Sequence, residues 1–324
     1  MDIVFGPVVS RRLGLSLGVN NIFYKYCTYT CVYCQAGRTT RLTLERRAFY
    51  EPSCVVREVV AAVSRLERLD YVTFVPDGEP TLDVNLGAEI GGVKEEAGIR
   101  VAVISNSSLL WRPDVREDLS QADYVSVKVD AVGKGAWRRV NRPHGDLKLD
   151  DVLRGILEFS GEFEGTLTTE TMLVRGVNDS PEDVERVACF LREVNPDKAY
   201  IAVPVRPPAE RWVSPPSEAT LNMAYQAFSR ELGQDRVELL LSLESGEPSY
   251  VEDPIKGLVA TTAVHPVELG YAEKMLSKAG LESGEVIGNL VRRGVLAVVE
   301  YEGRKFLVRK ITQLYKHNAG NNRE

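Results

Sequence analysis

Between about residues 50 and 232, helix-like and strand-like patterns take turns, which limits this stretch to a sheet whose strands are joined by helical crossovers. "PSCVVREVVAAVSRLERL" places Val55, Val59, Val60, Val63 and Leu66 on one helical stripe behind a Pro-Ser start, and "YVTFV" follows as a short buried strand. In the same way "AEIGGVKEEAG" leads to "RVAVIS", "RPDVREDLSQA" to "YVSVKVDA", and "LDDVLRGILEFS" to "TLTTETMLV". "SPEDVERVACFLREV" leads to "AYIAVPV", with Ser180 as cap, Pro181 in the first turn, and Val184, Val187, Ala188 and Leu191 on one face. With "NIFY" as the opening strand, the pattern predicts an α/β fold of about six β-α units, either a partial (β/α)6 parallel barrel or an open sheet. In both architectures the chemistry belongs at the carboxyl ends of the strands.

"RPPAERWVSPPSE", residues 206–218, is too rich in proline for a helix or an inner strand and predicts a rigid surface segment before the last barrel helix. After about residue 250 the pattern changes to two short amphipathic helices, "HPVELGYAEKMLSKAGL" and "SGEVIGNLVRRG", then a hairpin that turns at Glu302-Gly303. Helix, turn, helix and hairpin is the plan of a winged helix. The expected division is residues 1–250 for the barrel, 251–316 for the C-terminal winged-helix domain and 317–324 for a disordered tail. No apolar run approaches the roughly 20 residues needed to span a bilayer, and the N-terminus lacks a signal-peptide core, so the expectation is a cytoplasmic protein without membrane contact.

Three of the five cysteines, Cys27, Cys31 and Cys34, fall within "YKYCTYTCVYCQ", a crowding that suits a metal better than disulfides in a reducing compartment. A metal that performs chemistry needs an open coordination position, and three thiolates leave one. Zinc completed by Cys54 or His144, and a 4Fe-4S cluster with one iron free, both satisfy this spacing. Cys54 and Cys189 lie in helical stretches beside apolar neighbours and read as buried packing residues. His144, His265 and His317 fall in turns or in the tail and read as structural or solvated.

The net charge is −6, yet residues 1–47 carry seven basic side chains (Arg11, Arg12, Lys25, Arg38, Arg41, Arg46, Arg47) against Asp2 and Glu45. The general acidity argues against a protein that coats nucleic acid. The local excess coincides with the cysteines.

The cysteine stretch resembles the signature of the radical SAM superfamily: three cysteines spaced by three and two residues, with an aromatic residue before the last. Cys27, Cys31, Tyr33 and Cys34 carry the match, which implies that the three cysteines are catalytic ligands of a 4Fe-4S cluster whose fourth iron receives S-adenosylmethionine. "VTFVPDGEPTL" resembles the segment that receives the methionyl amino group, through Gly78, Glu79 and Pro80, with Asp77 departing from the usual small residue. "VISNSSLL" makes Asn106 a cofactor-facing candidate, and "YVSVKVDA" puts Lys128 where relatives have serine and Asp130 on the match. In "TMLVRGVND", Val174, Gly176 and Asn178 resemble the loop that packs near the adenine. "FGPVVSRRLGLSLGVN", "VNRPHGDL", "RPPAERWVSPPSE" and "TTAVHPVE" resemble a group related to wybutosine-synthesising tRNA enzymes.

The resemblance implies reductive cleavage of S-adenosylmethionine to a 5'-deoxyadenosyl radical that abstracts hydrogen, with an electron from a reductant such as ferredoxin or flavodoxin. Arg11, Arg12 and Arg206 are substrate-binding candidates. One substrate class is an RNA base, in tRNA, because the basic stretch would meet phosphates and a winged helix can hold nucleic acid. Residues 281–316 add seven basic groups against four glutamates. A second class is a peptide or protein added as a strand at the wing edge. The alternative outside enzymology is an iron-sulfur or zinc regulator that binds DNA.

Overall fold

The computed structural model describes residues 3–243 and 253–310. Its main sheet has eight strands in the order β1-β2-β5-β6-β7-β8-β9-β10, where β1 is Val4–Ser10, β2 Gly14–Val19, β5 Tyr71–Phe74, β6 Val101–Ser105, β7 Tyr124–Lys128, β8 Thr166–Met172, β9 Lys198–Ala202 and β10 Val237–Leu240. The strands β3 (Tyr26–Cys27) and β4 (Arg41–Leu42) form a separate short pair that frames the cysteine loop. Within the sheet β1 pairs antiparallel with β2, and every other pairing is parallel. The opening parallel strand is therefore Gly14–Val19, and "NIFY", which the pattern predicts as that strand, lies in the loop after it. The physical reason is alternation: Leu15, Leu17 and Val19 can lie on one face beside β5, whereas Asn20 and Asn21 have side chains that end a ladder. β10 is a further parallel strand beyond the predicted units.

The crossovers are the helices α1 (Pro52–Val63), α2 (Leu86–Ala97), α3 (Pro113–Ser120), α4 (Lys134–Val140), α5 (Leu149–Glu162), α6 (Pro181–Val194) and α7 (Glu218–Leu232). Ser180 caps α6 by accepting from the Asp183 N–H, and Val184, Val187, Ala188 and Leu191 are buried, as the pattern predicts. Cys189, on the other side of that helix, is exposed, and Cys54 on α1 is half-buried, so neither is the fully buried packing residue expected.

The two sheet faces differ. Val125 and Val127 of β7 join Leu17, Val72, Val101, Leu167, Ala199 and Ile201 in the core that the helices cover. Tyr124, Ser126 and Lys128 alternate to the opposite face, where Ser16, Thr73, Thr168, Glu170 and Tyr200 are also buried or nearly so. A parallel strand packed on both faces by apolar layers reads as continuous Val, Ile and Leu. The Tyr-Val-Ser-Val-Lys alternation of β7 thus marks an inner face built for polar contact.

The remaining described elements are α8 (Pro254–Val264), β11 (Val267–Glu268), α9 (Leu269–Lys278), α10 (Ser283–Arg292), β12 (Leu296–Tyr301) and β13 (Arg304–Arg309), with strand order β11-β13-β12. Leu258, Val267, Ala272, Leu276, Ile287, Leu290, Leu296 and Leu307 form their own core. The hairpin turns at Glu302 and Gly303 with φ of 48° and 71°, the paired positive values that suit a two-residue turn. Among the hydrogen bonds that tie these elements to the segment after β9, the Tyr301 hydroxyl donates to the Pro204 carbonyl (3.1 Å) and Arg206 Nε to that of Pro266 (3.1 Å). The predicted tail and His317 lie outside the described residues. Among the described residues no helix is long and apolar enough to cross a membrane.

Candidate active site at the cysteine loop

The cysteine loop begins at the carboxyl end of β2 and crosses those of the neighbouring parallel strands. Backbone bonds hold it: Thr30 N–H donates to the Asn141 and Arg142 carbonyls (both 3.1 Å), Val32 N–H to Val140 (3.0 Å), and Glu210 N–H to Val32 (3.1 Å). The segments "VNRPHGDL" and "RPPAERW" are thus the straps that fix the loop. The β5 end presses on it from below, since the Gly78 Cα lies so near the Tyr26 carbonyl that a Cβ would come within 1.9 Å of its oxygen. Only glycine fits there.

Each thiol meets a nitrogen donor. Lys25 Nζ donates to Cys34 Sγ (3.2 Å), Asn106 Nδ2 to Cys27 Sγ (3.5 Å) and Asn141 Nδ2 to Cys31 Sγ (3.5 Å). Burial pushes the Cys27 thiol up to about 11, although Lys25 pulls the other way, and raises Cys31 as well. Thiols held this way need a cation beside them to ionise. Three soft donors on one loop, each with its own N–H partner, fit an iron-sulfur cluster, whose potential responds to hydrogen bonds at its sulfurs. Cys27, Cys31 and Cys34 would hold it.

Glu79 is buried, and its carboxylate accepts from Thr81 N–H (3.2 Å), Thr81 Oγ1 (2.7 Å), Ser105 Oγ (2.7 Å) and Asn106 N–H (2.7 Å). It therefore clamps the ends of β5 and β6 together and, through Asn106, aims an amide at Cys27. Pro80 opens the single turn that follows. Asn178 plays the same part at β8: its Oδ1 accepts from Val174 N–H (2.9 Å) while Nδ2 donates to the Asp130 and Met172 carbonyls (both 2.8 Å). Gly176 takes a φ of +70° and bonds through its N–H to Asp179 (2.7 Å).

Asp130 accepts from the Tyr33 hydroxyl, from Asn141 Nδ2 (2.7 Å) and from Met172 N–H (2.8 Å), and burial raises its carboxyl although Lys128 opposes this. Lys128 does not take Asp130 as its hydrogen-bonded partner. Its ammonium donates to Glu170 and lies 5.0 Å from the Tyr33 ring centre. Arg12 reaches the same carboxylate from the β1-β2 turn, also donates to Ser126 Oγ (3.3 Å), and stacks over Tyr200 at 5.7 Å. Burial works against an ionised Glu170, yet Lys128 and Arg12 hold its carboxyl down at about 2.

Sequence reasoning missed Lys25 and Asn141 beside the thiols and Glu170 on the inner face. The available signal for Glu170 was a lone charge inside "TLTTETM"; its register with Lys128 came only with the sheet. The other two arginine candidates are placed elsewhere: Arg11 donates to the Ser242 carbonyl, and Arg206, besides Pro266, to Gln35 Oε1 (3.5 Å) on the cysteine loop.

A family model for the radical SAM superfamily matches residues 21–188, which contain the loop, the Glu79 and Asn178 clamps, and the Lys128–Glu170 pair of the inner face. The chain belongs to the radical SAM superfamily. This radical SAM enzyme uses a 4Fe-4S cluster and S-adenosylmethionine. It is 42% identical to a UPF0026 protein of Methanocaldococcus jannaschii over 313 residues, 96% of this chain and 97% of that one. A UPF0026 protein of Synechocystis is 37% identical over 205 residues, covering 63% and 76% of the two chains. Among solved structures, a radical SAM methyltransferase from Sphaerobacter thermophilus superposes with a TM-score of 0.55 at 20% identity, over 71% of this chain and 67% of that one, a likeness of fold.

Proposed function

We propose that this radical SAM enzyme abstracts hydrogen from a base of an RNA, with tRNA as the substrate class. The observation that carries the reading is the rim of the cysteine loop. Arg38 and Arg142, both solvent-facing, converge on Glu210 (3.0 and 2.6 Å), and the next two residues, Arg211 and Trp212, are exposed, Trp212 by 53%. Arg41 is exposed on the same loop. An exposed indole among arginines offers a base a stacking surface and its phosphates a positive field. The likeness of several segments to wybutosine-synthesising tRNA enzymes supports the same reading.

When bound, the cluster supplies the electron for reductive cleavage of S-adenosylmethionine. The protein binds and orients. Gly78, Glu79 and Pro80 would shape the strand end that takes the methionyl amino group, Lys128 would be the cation available to its carboxylate, and Val174, Gly176 and Asn178 would form the loop on the adenine side. Tyr33, Asn106 and Asp130 fix the loop wall. Arg12 and Glu170, both largely buried, would help keep the inner face closed to bulk water. Residues 253–310 are read as a winged helix, which the order helix, strand, two helices and hairpin supports.

The test uses anaerobically reconstituted enzyme and total tRNA. Filter binding is expected to be salt-dependent and about tenfold weaker for Trp212→Ala, the size of one lost base stack, and tRNA is expected to stimulate 5'-deoxyadenosine formation. Absent tRNA binding, with a peptide binding at the β12-β13 hairpin, would replace the RNA reading by peptide modification.

A further inference from the structure

Lys25 is among the largest fully buried side chains, 1% exposed, in a chain position two residues before the first cluster cysteine. Its backbone is left-handed, with φ of 54°, a conformation a lysine adopts only where the surroundings impose it. Both backbone groups are pinned: the N–H donates to Asp77 Oδ1 (3.0 Å) and the carbonyl accepts from Thr40 and Arg41 N–H (3.3 and 3.1 Å). The twisted backbone sends the side chain inward, where its Nζ donates to Cys34 Sγ at 3.2 Å. Lysine is almost never fully buried unless paired. Cys27 and Cys31 accept from uncharged amides at 3.5 Å, whereas Cys34 accepts from the ammonium itself. Asp77 is also buried, and it stands where the family resemblance expects a small residue.

We infer that Lys25 and Asp77 together set the reduction potential of the cluster. A positive charge against a ligand sulfur stabilises the reduced state, which carries one more negative charge, and a carboxylate behind that charge offsets part of the effect. Lys25 is a positioning residue in this sense: it acts through Cys34 and raises the potential, while Asp77 acts through Lys25 and lowers it. The inference rests on the three cysteines as cluster ligands and is independent of the RNA substrate.

The experiment measures the midpoint potential of the reconstituted cluster in the absence of S-adenosylmethionine, by dithionite titration followed by electron paramagnetic resonance, after iron and sulfide have been counted for each protein. Lys25→Met is expected to shift the midpoint to more negative potential by about 59 mV or more, a tenfold loss in the reduced-to-oxidised ratio for one electron. Lys25→Arg is expected to restore most of the shift, and Asp77→Asn, which keeps the oxygen that accepts from Lys25 N–H, to move the midpoint the opposite way. A Lys25→Met protein with full iron and sulfide that titrates at the wild-type potential overturns the inference. If Lys25→Met does not assemble a cluster, the decision passes to Asp77→Asn: an upward shift supports the inference and an unmoved midpoint overturns it. Wild-type protein without iron and sulfide would instead remove the cluster reading itself.

Discussion

Replacing Glu170 by Gln tests the charge arrangement of the inner face. Glu170 lies on β8 in register with Lys128 on one side and Tyr200 on the other, its side chain 8% exposed, and it accepts from both Arg12 and Lys128. Those two cations hold its carboxyl at about 2 in the fold against 4.5 for an unperturbed glutamate. At about 1.4 kcal/mol for each tenfold change in proton affinity, the difference amounts to about 3 kcal/mol of stabilisation. The folded value lies below the unfolded one, so this stabilisation is complete above pH 4.5 and is lost as the pH falls toward 2. Gln also leaves Arg12 and Lys128 close together in a buried site without an anion, a loss that typically costs about 3–5 kcal/mol. Urea unfolding, followed by tryptophan fluorescence across that pH range, should show Glu170→Gln less stable than wild type by about 3 kcal/mol near neutrality, with the difference shrinking on the acid side. A variant as stable as wild type near neutrality, or a difference that does not change with pH, would refute the reasoning.

Gly78→Ala places a methyl 1.9 Å from the Tyr26 carbonyl oxygen, which is backbone and cannot step aside, so reconstituted protein should hold far less iron and sulfide than wild type. Cys34→Ser should do the same, whereas Cys189→Ser, at an exposed site on α6, should keep the wild-type iron content and change stability by less than about 0.5 kcal/mol. Glu89 is fully buried on α2, near Asn21 but without a cation beside it. Burial, with Asp83 adding to it, pushes that carboxyl up to about 9, which makes stability fall as pH rises from 4.5 toward that value. Glu89→Gln should therefore be more stable than wild type at about pH 8, with the gain disappearing near pH 4 in the same urea titration.

The alternating patterns were enough to read the parallel α/β core, and the spacing of Cys27, Cys31 and Cys34 was enough to mark a metal-suited loop, because both depend on local periodicity and close spacing along the chain; the cluster itself came from the likeness to the radical SAM superfamily. The capped helix at Ser180 and the turn at Glu302-Gly303 were legible for the same reason: caps and tight turns are made by neighbours in sequence. The opening strand was misplaced, because Gly14–Val19 carries glycines that weaken its local signal and gains its stability from β1 and β5 on either side.

Tertiary structure alone decided which charges meet. Glu170 binds Arg12 and Lys128 across 158 and 42 residues of chain, Lys25 turns inward onto Cys34, and Glu210 gathers Arg38 and Arg142 at the rim. Periodicity tells which face a residue occupies but not which partner stands opposite, and for a buried charge the partner decides both its ionisation and its role. The sequence by itself therefore determined the α/β class and the crowding of three cysteines on one loop, while the environment around those cysteines was decided by strands and loops brought together in space.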